Sequence, residues 1–323
     1  MKALLASELR QRLRSRRWWI LVALWTLALF LIMIPIRAGG QQSRTFFYGP
    51  EANTDLGPLM FGSLALLVLG LSCLVIPSLT AMAINGERDR GTLAVLQATL
   101  LRPHDIVLAK FLSGLVTASV FLAATLPIAL WCYLEGSVSL VRLITVYLVL
   151  LVVAGVLIAL ALFASALVRR PALSAVLTYG LVGMLTIGTG ILYGIAEVNA
   201  DRPNDFGRPD PGVRWLLLAP NPFVVLADAA PRSRIDLDDP LAGIQEATRY
   251  LRNPEPEIVY EAPPPGGDPY APPRLIQPIE SEEDPVWPYG LAIELVIAIG
   301  ALAVAIRRLR VPVRKLAPGH RVA

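Results

Sequence analysis

The chain is 323 residues long but holds only three lysines, two histidines and two cysteines, and charged residues make up only 17% of it. Each shortage excludes a class of chemistry. A P-loop needs a Gly-Lys pair, and Lys2, Lys110 and Lys315 follow Met1, Ala109 and Arg314, so this chain cannot cradle ATP that way. Two histidines and two cysteines are too few for a dedicated zinc site. Cys73 and Cys132 lie inside apolar runs and read as small buried hydrophobes. Intramembrane hydrolysis or group transfer needs converging polar side chains. Neither histidine lies deep in an apolar run, and Glu294 has no second carboxylate at helical spacing. The residues therefore point to no catalytic site, no metal and no cofactor.

Charge is also absent over long stretches. Between Trp18 and Ile36 there is none, and between Pro58 and Ile84 there is none. Runs of 18 or more apolar residues are candidate membrane-spanning helices. Hydrophobic residues reach 55% and the mean hydropathy is +0.58, whereas a soluble domain averages about 45–50% apolar. The spacing predicts an all-α integral membrane protein of about six transmembrane helices. Spans are expected near 18–36, 58–84, 106–134, 143–168, 172–195 and 289–306, the first five within a membrane region 18–195. The first run covers about 28 Å as a helix, enough to cross a hydrocarbon core. It is too long for a cleaved signal sequence, and Ile34-Pro35-Ile36-Arg37 is a poor cleavage site.

The net charge of +4 does not indicate nucleic-acid binding, because the basic residues gather at the ends of apolar runs. Segments 1–17, 85–105, 169–170 and 307–323 carry 17 of the 29 lysines and arginines. That bias places both termini in the cytoplasm. Residues 1–17 read as a basic amphipathic helix with Leu4, Leu5, Leu9 and Leu13 on one face, and 307–323 as a basic tail. Residues 37–57 are expected as a short polar outer stretch. Residues 196–288 are expected as a long extracytoplasmic loop before the last span. Within it, 213–230 is apolar but broken by Pro220 and Pro222, which suits an interfacial or re-entrant piece. Residues 253–288 are acidic and proline-rich, a composition that favours an extended, disordered linker.

Two features inside the membrane region invite functional readings. Glu294 sits about five residues into the last span, and an ionisable residue there is a functional candidate. It either reaches water at the outer interface, faces a dimer cavity or meets a partner such as Arg142. The fifth span holds Gly180, Gly183, Gly188, Gly190 and Gly194, small surfaces for close helix packing.

The insert 85–105 is the most informative stretch. Asn85-Gly86-Glu87-Arg88-Asp89-Arg90-Gly91-Thr92-Leu93 follows an apolar run directly, and Leu96, Leu100 and Leu101 lead to Arg102-Pro103. By spacing alone it is either a cytoplasmic helix-turn element that docks a soluble partner or a loop whose charges stay solvated. With Ile106-Val107-Leu108-Ala109-Lys110, the basic start ending in Arg16-Arg17-Trp18-Trp19, and Asn221-Pro222-Phe223, it resembles permease subunits of the ABC-2 type. The resemblance covers most of 1–230 and 286–310, and the outer segment 253–288 departs from it.

The resemblance implies the permease subunit of an ATP-driven exporter in a bacterial plasma membrane, which also suits the arginine- and alanine-rich composition. It implies a separate cytoplasmic ABC ATPase subunit that binds the ATP, a second permease chain, and surrounding membrane lipid. It places ATPase coupling on Glu87, Arg88, Asp89, Arg90, Gly91, Thr92 and Arg102. The residues alone also admit a membrane anchor or assembly factor that recruits a cytoplasmic partner, or a secondary transporter.

Overall fold

The computed structural model of the chain describes residues 15–49, 55–89, 102–199, 213–232, 238–252, 260–261, 274–275 and 284–309. The amphipathic segment before Ser15, the insert from Arg90 to Leu101, most of 253–288 and the tail after Leu309 lie outside the described residues. Among the described residues the fold is all-α apart from a two-residue antiparallel ladder, β1 (Tyr260–Glu261) with β2 (Arg274–Leu275).

Among the described residues, six helical stretches are long and apolar enough to cross a membrane. The first span lies in α1 (Arg16–Tyr48), and the second is α2 (Gly57–Thr80), which leads through a turn into α3 (Asn85–Asp89). The third and fourth are α4 (Pro103–Leu134) and α5 (Leu140–Leu167). The fifth combines α6 (Pro171–Gly183), a π-helical turn at Met184–Gly188 and α7 (Thr189–Val198). Between it and the last helix come α8 (Trp215–Leu218), α9 (Pro222–Ala229) and α10 (Pro240–Arg252), and α11 (Trp287–Leu309) is the sixth span.

The fourth span is the hub. Val153, Leu157, Ile158, Ala159, Ala161, Leu162 and Ala164 are all fully buried, so α5 is apolar nearly all round and is wrapped by its neighbours. It packs against α2, α4, α6, α9 and α11. By contrast the first, fifth and sixth spans expose most of their apolar side chains. In a soluble protein such a surface would be a liability; in a bilayer it is solvated by lipid.

Two stretches read as polar connections are in fact helical. The first helix does not stop at Arg37 but continues three turns to Tyr48. Arg37 Nε donates to Glu135 Oε1 at 2.7 Å, and Arg44 Nη1 donates to the Asp55 carbonyl at 2.7 Å, so the extension is tied to neighbouring turns. Residues 240–252 form α10, with Leu241, Gln245 and Thr248 buried on one face. The segment 213–230 holds two helices split near Pro220. Val224, Val225, Leu226 and Ala227 of α9 are buried within the bundle.

Helices that meet this closely need glycine at the crossing. A Cβ on Gly62 of α2 would collide with the Asp239 Oδ1 atom and the Pro240 ring, and one on Gly290 of α11 with the Ala219 carbonyl. A Cβ on Gly180, Gly183, Gly190 or Gly194 would meet nothing within 4 Å among the described residues. Gly62→Ala and Gly290→Ala are therefore expected to destabilise by about 1–3 kcal/mol through overpacking. Gly180→Ala should be neutral or stabilising, by up to about 1 kcal/mol. Thermal unfolding of the three variants in one detergent gives the ranking directly.

Candidate functional site

The two ends of the bundle carry different polar clusters. One end holds Ser15, the turn after the second span, the turn between the fourth and fifth spans, and Leu309. At this end the second helix stops at Thr80, and residues 81–84 form a turn before α3. A chain break of this kind orphans backbone groups that need partners. Two serines supply them. Ser165 Oγ, at the end of the fourth span, accepts the N–H groups of Ile84 (3.1 Å) and Asn85 (3.2 Å). Ser174 Oγ, at the start of the fifth, donates to the Ala81 carbonyl at 2.7 Å. Both serines are fully buried.

Glu87 then completes the attachment. Its Oε1 atom lies 2.6 Å from Lys110 Nζ on the third span, and the Lys110 side chain is only 5% exposed. A charge-assisted bond of this length with a desolvated lysine is strong, and removing one partner strands the other. The turn and α3 are thus fastened to the third, fourth and fifth spans at once. Four hydrogen bonds make the attachment, two to Ser165, one to Ser174 and one to Lys110.

The other residues expected in this element divide. Arg88 and Asp89 lie on α3 beside Glu87. Arg90, Gly91 and Thr92 lie outside the described residues. Arg102 is the N-cap position of α4, where its N–H donates to Asp105 Oδ2 at 3.2 Å and Pro103 occupies the first turn. There it opens the third span. Asn85 is fully buried, and neither its amide nitrogen nor its oxygen has a hydrogen-bond partner among the described residues.

Glu294 is buried completely inside the bundle, and neither carboxylate oxygen makes a hydrogen bond among the described residues. Arg142 is engaged elsewhere. It is itself almost fully buried, forms an ion pair with Asp239, and donates Nη1 to the Pro231 carbonyl at 3.1 Å.

That pair belongs to a cluster at the opposite end which hydropathy reading missed. Asp228, at the end of α9, has a fully buried carboxylate. Its Oδ1 accepts Arg249 Nε at 2.6 Å, and its Oδ2 accepts the N–H groups of Val286 (2.6 Å) and Trp287 (2.7 Å). Gln245 donates to the Asp228 and Ala230 carbonyls at 3.1 and 3.3 Å. Asp239 caps α10 by accepting the Leu241 N–H at 3.1 Å while it holds Arg142. One available signal was Asp239-Pro240 ahead of Leu241, Ile244, Gln245 and Thr248, which is a helix start followed by helical spacing.

Asn221 links this cluster to the fifth span. Its Oδ1 caps α9 by accepting the Phe223 N–H at 3.0 Å. Its Nδ2 donates to the Thr186 carbonyl (2.6 Å) and to Thr189 Oγ1 (2.9 Å). Thr186 lies in the π-turn, where a widened helix frees carbonyl groups. The Asn221-Pro222-Phe223 motif therefore ties a helix start to a helix defect.

Comparison with known proteins now bears on this arrangement. Residues 2–228 match the model of the ABC-2 family transporter protein. The chain belongs to that family. A search of curated proteins returned no match. As an ABC-2 family member the protein is a multi-pass membrane permease of an ABC transporter, a role that goes with an ATPase subunit. The match ends at Asp228, so α10 and the last span lie beyond it.

Asp228→Ala is expected to destabilise the fold by about 3–5 kcal/mol, because Arg249 and two backbone donors lose a buried acceptor. Glu246→Ala, an exposed position on the same helix as Arg249, should stay within about 0.5 kcal/mol. Denaturant or thermal unfolding in detergent compares the two.

Proposed function

We propose that this permease is the membrane subunit of an ATP-driven exporter in a bacterial plasma membrane, and that it works as a dimer with a separate cytoplasmic ATPase docked on α3 and the insert that follows. The observation that carries the reading is the fastening of the post-second-span turn by Glu87–Lys110, Ser165 and Ser174. A soluble motor can move spans only through an element rigidly joined to them. A loop that merely solvates its charges has no need of a desolvated lysine or of two buried serines.

The orientation follows from charge. The end with α3 carries the basic segments 85–105, 169–170 and 307–323, so it faces the cytoplasm. The end with Asp228 and Asp239 then faces outward, and α8, α9 and α10 form an outer cap over the spans. The open faces of the first and fifth spans serve lipid or the second permease chain. ATP binding resides in the partner, since the chain lacks a Gly-Lys pair.

The test uses the permease purified with its ATPase and reconstituted in vesicles. Glu87→Ala and Lys110→Ala are each expected to lower permease-dependent ATP hydrolysis roughly tenfold, equivalent to about 1.4 kcal/mol. The exchanged pair, Glu87→Lys with Lys110→Glu, should recover a substantial part of it. Full activity in both single variants would refute the role assigned to this pair.

A further inference from the structure

A groove on the outer surface of the bundle, between the first and third spans, has no part in the coupling described above. It has a volume of about 450 Å³ and is lined by Ala23, Thr26, Leu27, Phe30, Pro127, Ile128 and Trp131. Its origin lies in local structure. Pro127 has no N–H to offer the preceding turn, and Thr26 Oγ1 sits 3.4 Å from the Ala124 carbonyl in that turn. Aromatic pairs brace the helices on either side of the gap, Trp25 with Phe121 and Phe30 with Trp131. The small side chain of Ala23 leaves the space between open. The volume falls within the roughly 300–1,000 Å³ usual for small-molecule sites, and both flanking helices are membrane spans.

A charged pair adjoins the groove at Trp131. Trp131 Nε1 donates to Glu135 Oε1 at 3.0 Å, and Arg37 Nε donates to the same oxygen at 2.7 Å. Arg37 stands seven residues beyond Phe30 on the same face, about 10 Å along the helix. Its side chain is 40% exposed. Only its Nε is used, and neither Nη group has a protein acceptor among the described residues. Glu135 Oε2 likewise makes no hydrogen bond among the described residues.

We propose that this groove binds a bilayer phospholipid with a phosphoethanolamine headgroup. One acyl chain lies along Ala23, Leu27, Phe30 and Ile128. The phosphate meets the Arg37 Nη groups, and the ammonium meets Glu135 Oε2. Headgroup selectivity follows from the two opposite charges standing side by side. A phosphoethanolamine presents an anion and an N–H-bearing cation and satisfies both. A phosphocholine has no N–H to donate to Glu135. A phosphoglycerol has no cation, and its negative charge is repelled by Glu135. Charge-assisted bonds at both sites add to the apolar burial of the chain.

The experiment is native mass spectrometry of the delipidated full-length chain, titrated with phosphatidylethanolamine, phosphatidylcholine and phosphatidylglycerol of identical acyl chains. Phosphatidylethanolamine is expected to bind about tenfold more tightly than the other two. The double variant Arg37→Gln/Glu135→Gln should bind all three alike, and Ala23→Phe should weaken all three by filling the groove. Equal binding of the three lipids to the wild-type chain would overturn the proposal, and that comparison needs no variant to fold. So would an undiminished phosphatidylethanolamine preference in the double variant. A chain-to-chain crosslink between Leu27→Cys residues in native membranes, at full yield, would assign the groove to a second copy instead.

Discussion

Asp228 joins the short helices to the last span, and the end of the molecule opposite α3 depends on it. One buried carboxylate takes a guanidinium from α10 and two backbone N–H groups from the start of α11. An isolated buried carboxylate is costly, and this one is stable because its bonds are charge-assisted and nearly complete. The neighbouring Arg142–Asp239 pair performs the same task between the fourth span and α10. Together they turn a sequence that is hydrophilic on average into a folded cap. Without them, α10 would have only a narrow apolar face with which to hold its place.

The two ends use polar groups in different ways. At the Asp228 end, acidic side chains gather donors from several segments, which immobilises the cap. At the basic end, the turn after the second span is held by serines and one lysine from three different spans. The first arrangement anchors a cap, and the second fastens a turn to three spans. Asn221 ties the cap to the fifth span. It fixes the start of α9 and occupies the carbonyl freed at the π-turn of the fifth span.

Much of this was legible in the sequence. Charge-free runs located the spans, because bilayer thickness demands about 20 apolar residues whatever the neighbours are. The Asn85–Leu93 motif, with the others that accompany it, pointed to the family. What was not legible shares one cause. The extension of the first helix to Tyr48 and the helix 240–252 are polar on average, and their stability comes from single bonds to distant residues. Arg44 finds Asp55, Arg142 finds Asp239, and Arg249 finds Asp228. No local pattern specifies such partners. Lys110 was visible as part of the family pattern, but its pairing with Glu87 requires the third span to be set beside α3.

The most direct measurement is purification of the tagged chain from its native membranes in mild detergent, with identification of every stoichiometric partner. The account predicts a P-loop ATPase that co-elutes with the intact permease and is lost when residues 85–105 are replaced by a neutral linker, while the spans remain inserted. A correctly folded chain that elutes with no ATPase, or that keeps its ATPase after the replacement, would contradict it.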